Sequence, residues 1–141
     1  MKVLVDTTIW SLALRRRPGG RNAEENHLVR AWEELIREGG IALLGLIRQE
    51  ILSGIAERRQ FERLRDALAP FPDEAILTSD HVRAAEHFNR CRAAGVAGSP
   101  VDFLICATSE RLAAPIFTTD LDFPRFARHI PIRLFSVSNP R

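Results

Sequence analysis

At 141 residues, 45% hydrophobic and 27% charged, the chain has the size and composition of one soluble domain with a substantial core. A formal charge of +2 and a pI near 8.9 are compatible with a polyanionic partner without demanding one. No apolar run approaches the roughly 20 residues needed to span a bilayer, and the run at the start is too short for a signal peptide.

Lys2 to Val5 is a β-rich run ending on an acid and reads as a buried strand. Asp6 is placed to cap a helix from Thr7 to about Arg16, closed by Pro18-Gly19-Gly20. Asn22 opens the next helix, with Glu25 three residues on in a capping-box arrangement. Leu28, Ala31, Trp32, Leu35 and Ile36 recur there at helical spacing until Gly39-Gly40. Ile41 to Leu44 is a second strand, and Leu46 to Ser53 a helix stopped by Gly54. The spacing predicts a further helix over Arg58 to Leu68, with Phe61, Leu64 and Leu68 facing inward, ended by Pro70 and Pro72.

Ala75 to Leu77 is expected as a small strand, and Ser79 or Asp80 as the cap of a helix reaching Ala94. After the loop Gly95 to Ser99, Pro100 occupies the first turn of a helix to about Leu112, where its missing N–H costs nothing. Ile116 to Thr118 is a strand, Phe123 to Arg128 a short helix, and Ile132 to Val137 a final strand. Strands alternating with helices predict an α/β domain with a largely parallel sheet. Ligands of such sheets collect at the carboxyl ends of the strands, which is where Asp6 and Asp120 fall.

Singly, most of the acids have a structural explanation. Asp6 suits an N-cap, Ser99-Pro100-Val101-Asp102 scans as a capping box, Asp120 suits an Asx-turn, and Asp122 suits the cap of the helix at Phe123. Glu50 has no such role. Flanked by apolar positions 46, 47 and 51, it falls at the edge of a buried stripe and calls for a partner, an arginine such as Arg48 or a cation. Jointly, Asp6, Glu50, Asp102 and Asp120 offer hard oxygen ligands suited to Mg²⁺ or Mn²⁺. Carboxylate-bound metal can activate water, neutralise a phosphate and stabilise the leaving oxygen.

Four segments carry a resemblance. They are Val3-Leu4-Val5-Asp6-Thr7-Thr8, Arg48 to Gly54 with Glu50 before a helix-ending glycine, Val101 to Thr108 with Asp102 opening an apolar helix, and Phe117 to Phe123 around Asp120. In this order they resemble the PIN-domain family, and within it the stand-alone VapC-type toxins. The resemblance implies one PIN domain over residues 1–141, a three-layer α/β/α sandwich around a largely parallel sheet of about five strands. It implies a cytoplasmic Mg²⁺- or Mn²⁺-dependent endoribonuclease acting by in-line attack of water on an RNA phosphodiester. Asp6, Glu50, Asp102 and Asp120 then take the catalytic positions, with Asp6, Asp102 and Asp120 on the metal. Asp122 and Thr118 are accessory candidates, the former read first as a cap. The implied partners are RNA, a second copy of the chain, and a VapB-type antitoxin whose C-terminal segment crosses the groove and places an arginine in the acidic pocket.

Within the family, an RNA-processing nuclease that is not a toxin is the alternative. Outside it, a haloacid-dehalogenase-type phosphatase wants a second acid where Thr8 stands, and a receiver-type signalling module wants an acid beside Asp6 and a late lysine, whereas Lys2 is the only lysine. The patch Arg15-Arg16-Arg17 suits a solvated helix end and is also a candidate contact for RNA. His27, His81, His87 and His129 lack the paired spacing of a zinc helix. Cys91 and Cys106 read as buried free thiols in a reducing compartment, and Trp10 and Trp32 as packing residues of the core or of an interface between copies.

Overall fold

A computed structural model describes residues 1–137. Its centre is β1 (Val3–Val5), three consecutive residues with no exposed surface. Successive strand residues point to opposite faces, so burial of all three means that both faces of the sheet are covered. β1 pairs in parallel with β2 (Ile41–Leu44) on one side and with β4 (Ile116–Phe117) on the other. A short β3 (Asp73–Glu74) extends β2, giving the order β3-β2-β1-β4. This is the parallel-sheet α/β domain expected from the alternating pattern, in the three layers that the family resemblance implied.

The helices are α1 (Thr7–Leu14), α2 (Ala23–Glu38), α3 (Gly45–Leu52), α4 (Arg58–Leu68), α5 (Thr78–Ala93), α6 (Pro100–Leu112) and α7 (Asp122–Phe126). α2 begins with the anticipated capping box, Asn22 Oδ1 accepting the Glu25 N–H and Glu25 Oε1 accepting the Asn22 N–H. α6 begins with the equivalent box of Ser99 and Asp102. Trp10 packs edge-on against Trp32 and Phe71 and donates its indole N–H to Val5 O at 3.1 Å, tying α1 back to β1.

Three expectations change. β3 forms at Asp73–Glu74 rather than at Ala75 to Leu77, because its register against Leu43 and Leu44 is held from outside. Arg48 grips Asp73 and the carbonyls of Leu68 and Phe71, while Lys2 pairs with Glu74. The final strand contracts to one parallel bridge, Ile116 to Leu134, so the sheet has four strands and a single-residue fifth. Phe61, placed inward by its spacing, is exposed, whereas Leu64 and Leu68 are buried as expected.

The loop before α6 is held by aromatic rings. Phe103 lies 4.7 Å from Phe126, centroid to centroid, and edge-on to Phe88, while Phe126 meets Phe123 edge-on. Gly98 lies directly on this stack, and a Cβ added there would sit 2.5 Å from Phe126 Cζ and 2.9 Å from Phe103 Cε2.

On the far side, α5 and α6 are joined by charge. Arg111 binds the buried Asp80 through Nε at 2.8 Å and also donates to Ala75 O. Glu110 accepts Arg83 at 2.9 Å and the buried His87 at 2.7 Å. Asp80 also accepts the Leu77 N–H, so it closes the first turn of α5 from inside rather than preceding it. Cys91 and Cys106 are free and buried, as expected.

Candidate active site

β1 and β4 end side by side, the Asp6 N–H donating to Phe117 O at 2.9 Å. The residues following both strands therefore emerge at one sheet edge. A cleft of about 800 Å³ opens there, and Asp6, Glu50, Asp102 and Asp120 all line it. The geometry brings the four sequence-selected acids to one cavity from four elements: the β1–α1 junction, α3, the first turn of α6, and the loop after β4.

Asp6 is 6% exposed and makes no side-chain cap of α1. Its Oδ2 instead accepts the Thr118 hydroxyl at 2.7 Å and lies 3.4 Å from the Thr8 hydroxyl. Thr118 Oγ1 in turn accepts the Asp120 N–H at 3.0 Å, and Thr8 Oγ1 accepts the Thr119 N–H at 3.0 Å. Two threonines thus stitch the loop carrying Asp120 to the start of α1. Burial pushes the Asp6 carboxyl above its usual range. Hydrogen bonds from Thr118 and the Thr7 backbone oppose this, and the charges of Glu50 and Asp120 add to it. Cys106, beneath the site, is pushed up by burial and by the neighbouring charges of Asp102, Cys91 and Asp6.

The other acids are each pinned once. Glu50 Oε2 accepts the Thr7 hydroxyl at 3.1 Å, Asp102 Oδ2 accepts the Ser99 N–H at 3.0 Å, and Asp120 Oδ1 accepts the Asp122 N–H at 2.9 Å. The capping box and Asx-turn read from the sequence are therefore real, and they hold these carboxyls at the cleft instead of competing with a role there. Glu50 is exposed rather than set at a buried border, and its partner is Thr7, since Arg48 is committed to the β3 edge. Asp122 is the first residue inside α7 and makes no side-chain cap. It does not line the cleft, and its nearest cation is Arg125 at 3.9 Å. Its reading as a cap is corrected: Asp120 binds the first N–H instead.

Arg15 and Arg16 line the same cleft; Arg17 does not. Glu24, Glu25 and Asn22 also line it, from the start of α2, and sequence reasoning missed them as site residues. The capping box did single out Asn22 and Glu25, though only as a helix signal.

The donors are all carboxylate and hydroxyl oxygens, the set suited to a hard divalent cation. Among the described residues no three His, Cys, Asp or Glu side chains converge closely enough to form a ready-made cage. That openness fits ions of the Mg²⁺ class, which retain several waters and take one or two carboxylates. Like charges around a buried Asp6 also give a cation an electrostatic reason to enter.

The PIN domain family model matches residues 3–129. No curated protein matches in sequence. Among solved structures, the chain is similar to FitAcB from Neisseria gonorrhoeae, with a TM-score of 0.75, 19% identity, and coverage of 95% of this chain and 96% of that one. VapBC2 from Rickettsia felis, bound to a DNA fragment from their promoter, gives 0.74 at 17% identity, covering 96% and 98%. A toxin–antitoxin complex from Klebsiella pneumoniae gives 0.65 at 20% identity, covering 86% and 90%.

Proposed function

Since the chain belongs to the PIN-domain family, we propose that it is a Mg²⁺- or Mn²⁺-dependent endoribonuclease, the toxin of a VapBC-type pair. The observation that carries the reading is the convergence of Asp6, Glu50, Asp102 and Asp120 on one cleft at the carboxyl edge of a parallel sheet. The fold shared with VapBC and FitAcB complexes supports the toxin assignment.

Asp6, Asp102 and Asp120 would hold the ion between them, one or two directly and the rest through its retained waters. When bound, it supplies positive charge for the scissile phosphate and lowers the pKa of water. Thr118 is a positioning residue: by donating to Asp6 Oδ2 while accepting the Asp120 N–H, it fixes two of these carboxylates relative to each other. Glu50, exposed and held by Thr7, is assigned to accept a proton from the attacking water. The same acidic pocket would receive an arginine from a VapB-type antitoxin, which inhibits by pairing with the carboxylates that RNA cleavage needs. The active protein is a cytoplasmic homodimer in this reading. No described helix is long and apolar enough to cross a membrane.

The test is cleavage of total RNA by the purified chain with Mg²⁺ or Mn²⁺, with EDTA, and with Asp6→Asn and Asp102→Asn. Loss of a metal-binding carboxylate should cost at least about a hundredfold, the range reached by removing mere supports of metal ligands. Both variants should keep the wild-type circular dichroism spectrum. Full cleavage in EDTA, or by either variant, overturns the assignment.

A further inference from the structure

The cleft is chemically polarised along α1. The side chains of α1 that line it are Thr7, Thr8, Ser11 and Leu12, continued by Arg15 and Arg16. Spacings of four from 7 to 11 to 15, and from 8 to 12 to 16, form one helical stripe. The winding carries past Leu14, because the N–H groups of Arg15 and Arg16 both reach Ser11 O, at 3.0 and 3.3 Å. The stripe therefore runs from Asp6 to two arginines whose backbone positions lie roughly 14 Å further along the helix at 1.5 Å per residue. Six carboxylates line the cavity, and Arg15 and Arg16 are its only cations among the described residues.

Arg16 is not a loose surface cation. Its Nη1 donates to Glu25 Oε2 at 2.7 Å, while Glu25 Oε1 is held by the Asn22 N–H at 3.0 Å. Glu25 thus spends one oxygen closing the first turn of α2 and the other fixing Arg16. Arg16 lines the cleft and its side chain remains 56% exposed, so N–H donors beyond the one given to Glu25 stay accessible. A planar fork held on one side by a carboxylate and open on the other suits a phosphate oxygen.

We infer that Arg15 and Arg16 form a subsite for a phosphate flanking the scissile one in a single RNA strand, with Glu25 as the residue that positions Arg16. The inference rests on the ribonuclease reading above, and it assigns to the distant end of the cleft the task of registering the strand against the carboxylates. Such a contact acts in ground state and transition state alike, so its loss raises KM and leaves kcat unchanged.

The test uses the full chain with Mg²⁺ and a fluorescent single-stranded RNA oligonucleotide of mixed sequence. Arg16→Ala should raise KM roughly tenfold with kcat within about twofold. The slope of log affinity against log salt should become shallower by about 0.7 per lost phosphate contact. Glu25→Gln preserves the helix cap, since glutamine serves at that box position, and should raise KM about threefold. The double variant should match Arg16→Ala alone, because Glu25 acts only through Arg16.

A wild-type KM and salt slope in Arg16→Ala overturn the subsite while cleavage itself stands. A lowered or unchanged KM in Glu25→Gln, or additive effects in the double variant, overturn the positioning role. A wild-type chain that neither cuts nor binds the oligonucleotide overturns both this inference and the nuclease reading.

Discussion

Asp6 and Asp80 are both nearly buried, 6% and 2% exposed, yet their carboxyls are pushed in opposite directions. Burial raises both. At Asp80 the hydrogen bonds of Arg111 and the Leu77 N–H outweigh it, and the carboxyl ends below its usual range. At Asp6 the Thr118 hydroxyl and the Thr7 backbone N–H do not suffice, and the charges of Glu50 and Asp120 work the other way. Glu110 repeats the pattern of Asp80: Arg83 draws it down, burial opposes, and His87 assists. The α5–α6 side spends Asp80 and Glu110 on joining helices, while Asp6 in the cleft is held by hydroxyls and has no such cation among the described residues. A buried carboxylate held above its usual range with no cation beside it marks a candidate functional site.

The contrast can be broken most forcefully on the paired side. Arg111→Ala leaves Asp80 buried without its partner and should cost about 3 kcal/mol in chemical denaturation. A loss within experimental error would mean that the two helices do not depend on this pair. On the cleft side the sign reverses. Asp6→Asn should stabilise the metal-free chain by about 1 kcal/mol, the scale common when a strained functional residue is replaced. Added Mg²⁺ should narrow that gap, because the ion stabilises only the chain that binds it. A destabilised Asp6→Asn chain without metal would show that Asp6 is structural after all.

The smallest effect is in the pH profile, and its direction differs between the two sides. A lowered folded pKa means that the Asp80 and Glu110 contributions are complete above the ordinary carboxylate range and vanish as pH falls through the folded values. The deficit of Arg111→Ala should therefore shrink on acidification. A raised folded pKa means that the cost of Asp6 is absent below its unfolded value of 3.8 and grows as pH rises through the folded value. The advantage of Asp6→Asn should shrink on acidification too, but from the opposite sign. Denaturation curves of both variants and the wild type between pH 3 and 7 (roughly the carboxylate range) separate the two cases.

Much of this organisation was legible from local signals. The run before Asp6, the boxes at Asn22 and Ser99, and Pro100 at a first turn each encode structure within four residues, and each formed as read. What failed depends on partners distant in the chain. Nothing in Asp73-Glu74 favours a strand; Arg48 and Lys2 hold it there, from 25 and 72 positions away. The anchoring of Glu50 by Thr7 crosses 43 positions and that of Asp6 by Thr118 crosses 112, so periodicity could give neither. The second oxygen of Glu25 is the subtlest case. The capping box announced one of its bonds, and only the packing of α1 against α2 produced the other.

The ring stack beneath α6 and α7 has a consequence for what this chain can tolerate. Asp102 immediately precedes Phe103, and Asp120 stands three residues before Phe123, so two of the cleft carboxyls ride on residues locked into one aromatic cluster. Gly98 fills the remaining space there, with no room for even a methyl group. The carboxylate spacing therefore depends on a residue with no side chain, no charge and no place in the lining of the cleft. A lineage could lose the site at position 98 while every acid in the cleft stayed intact.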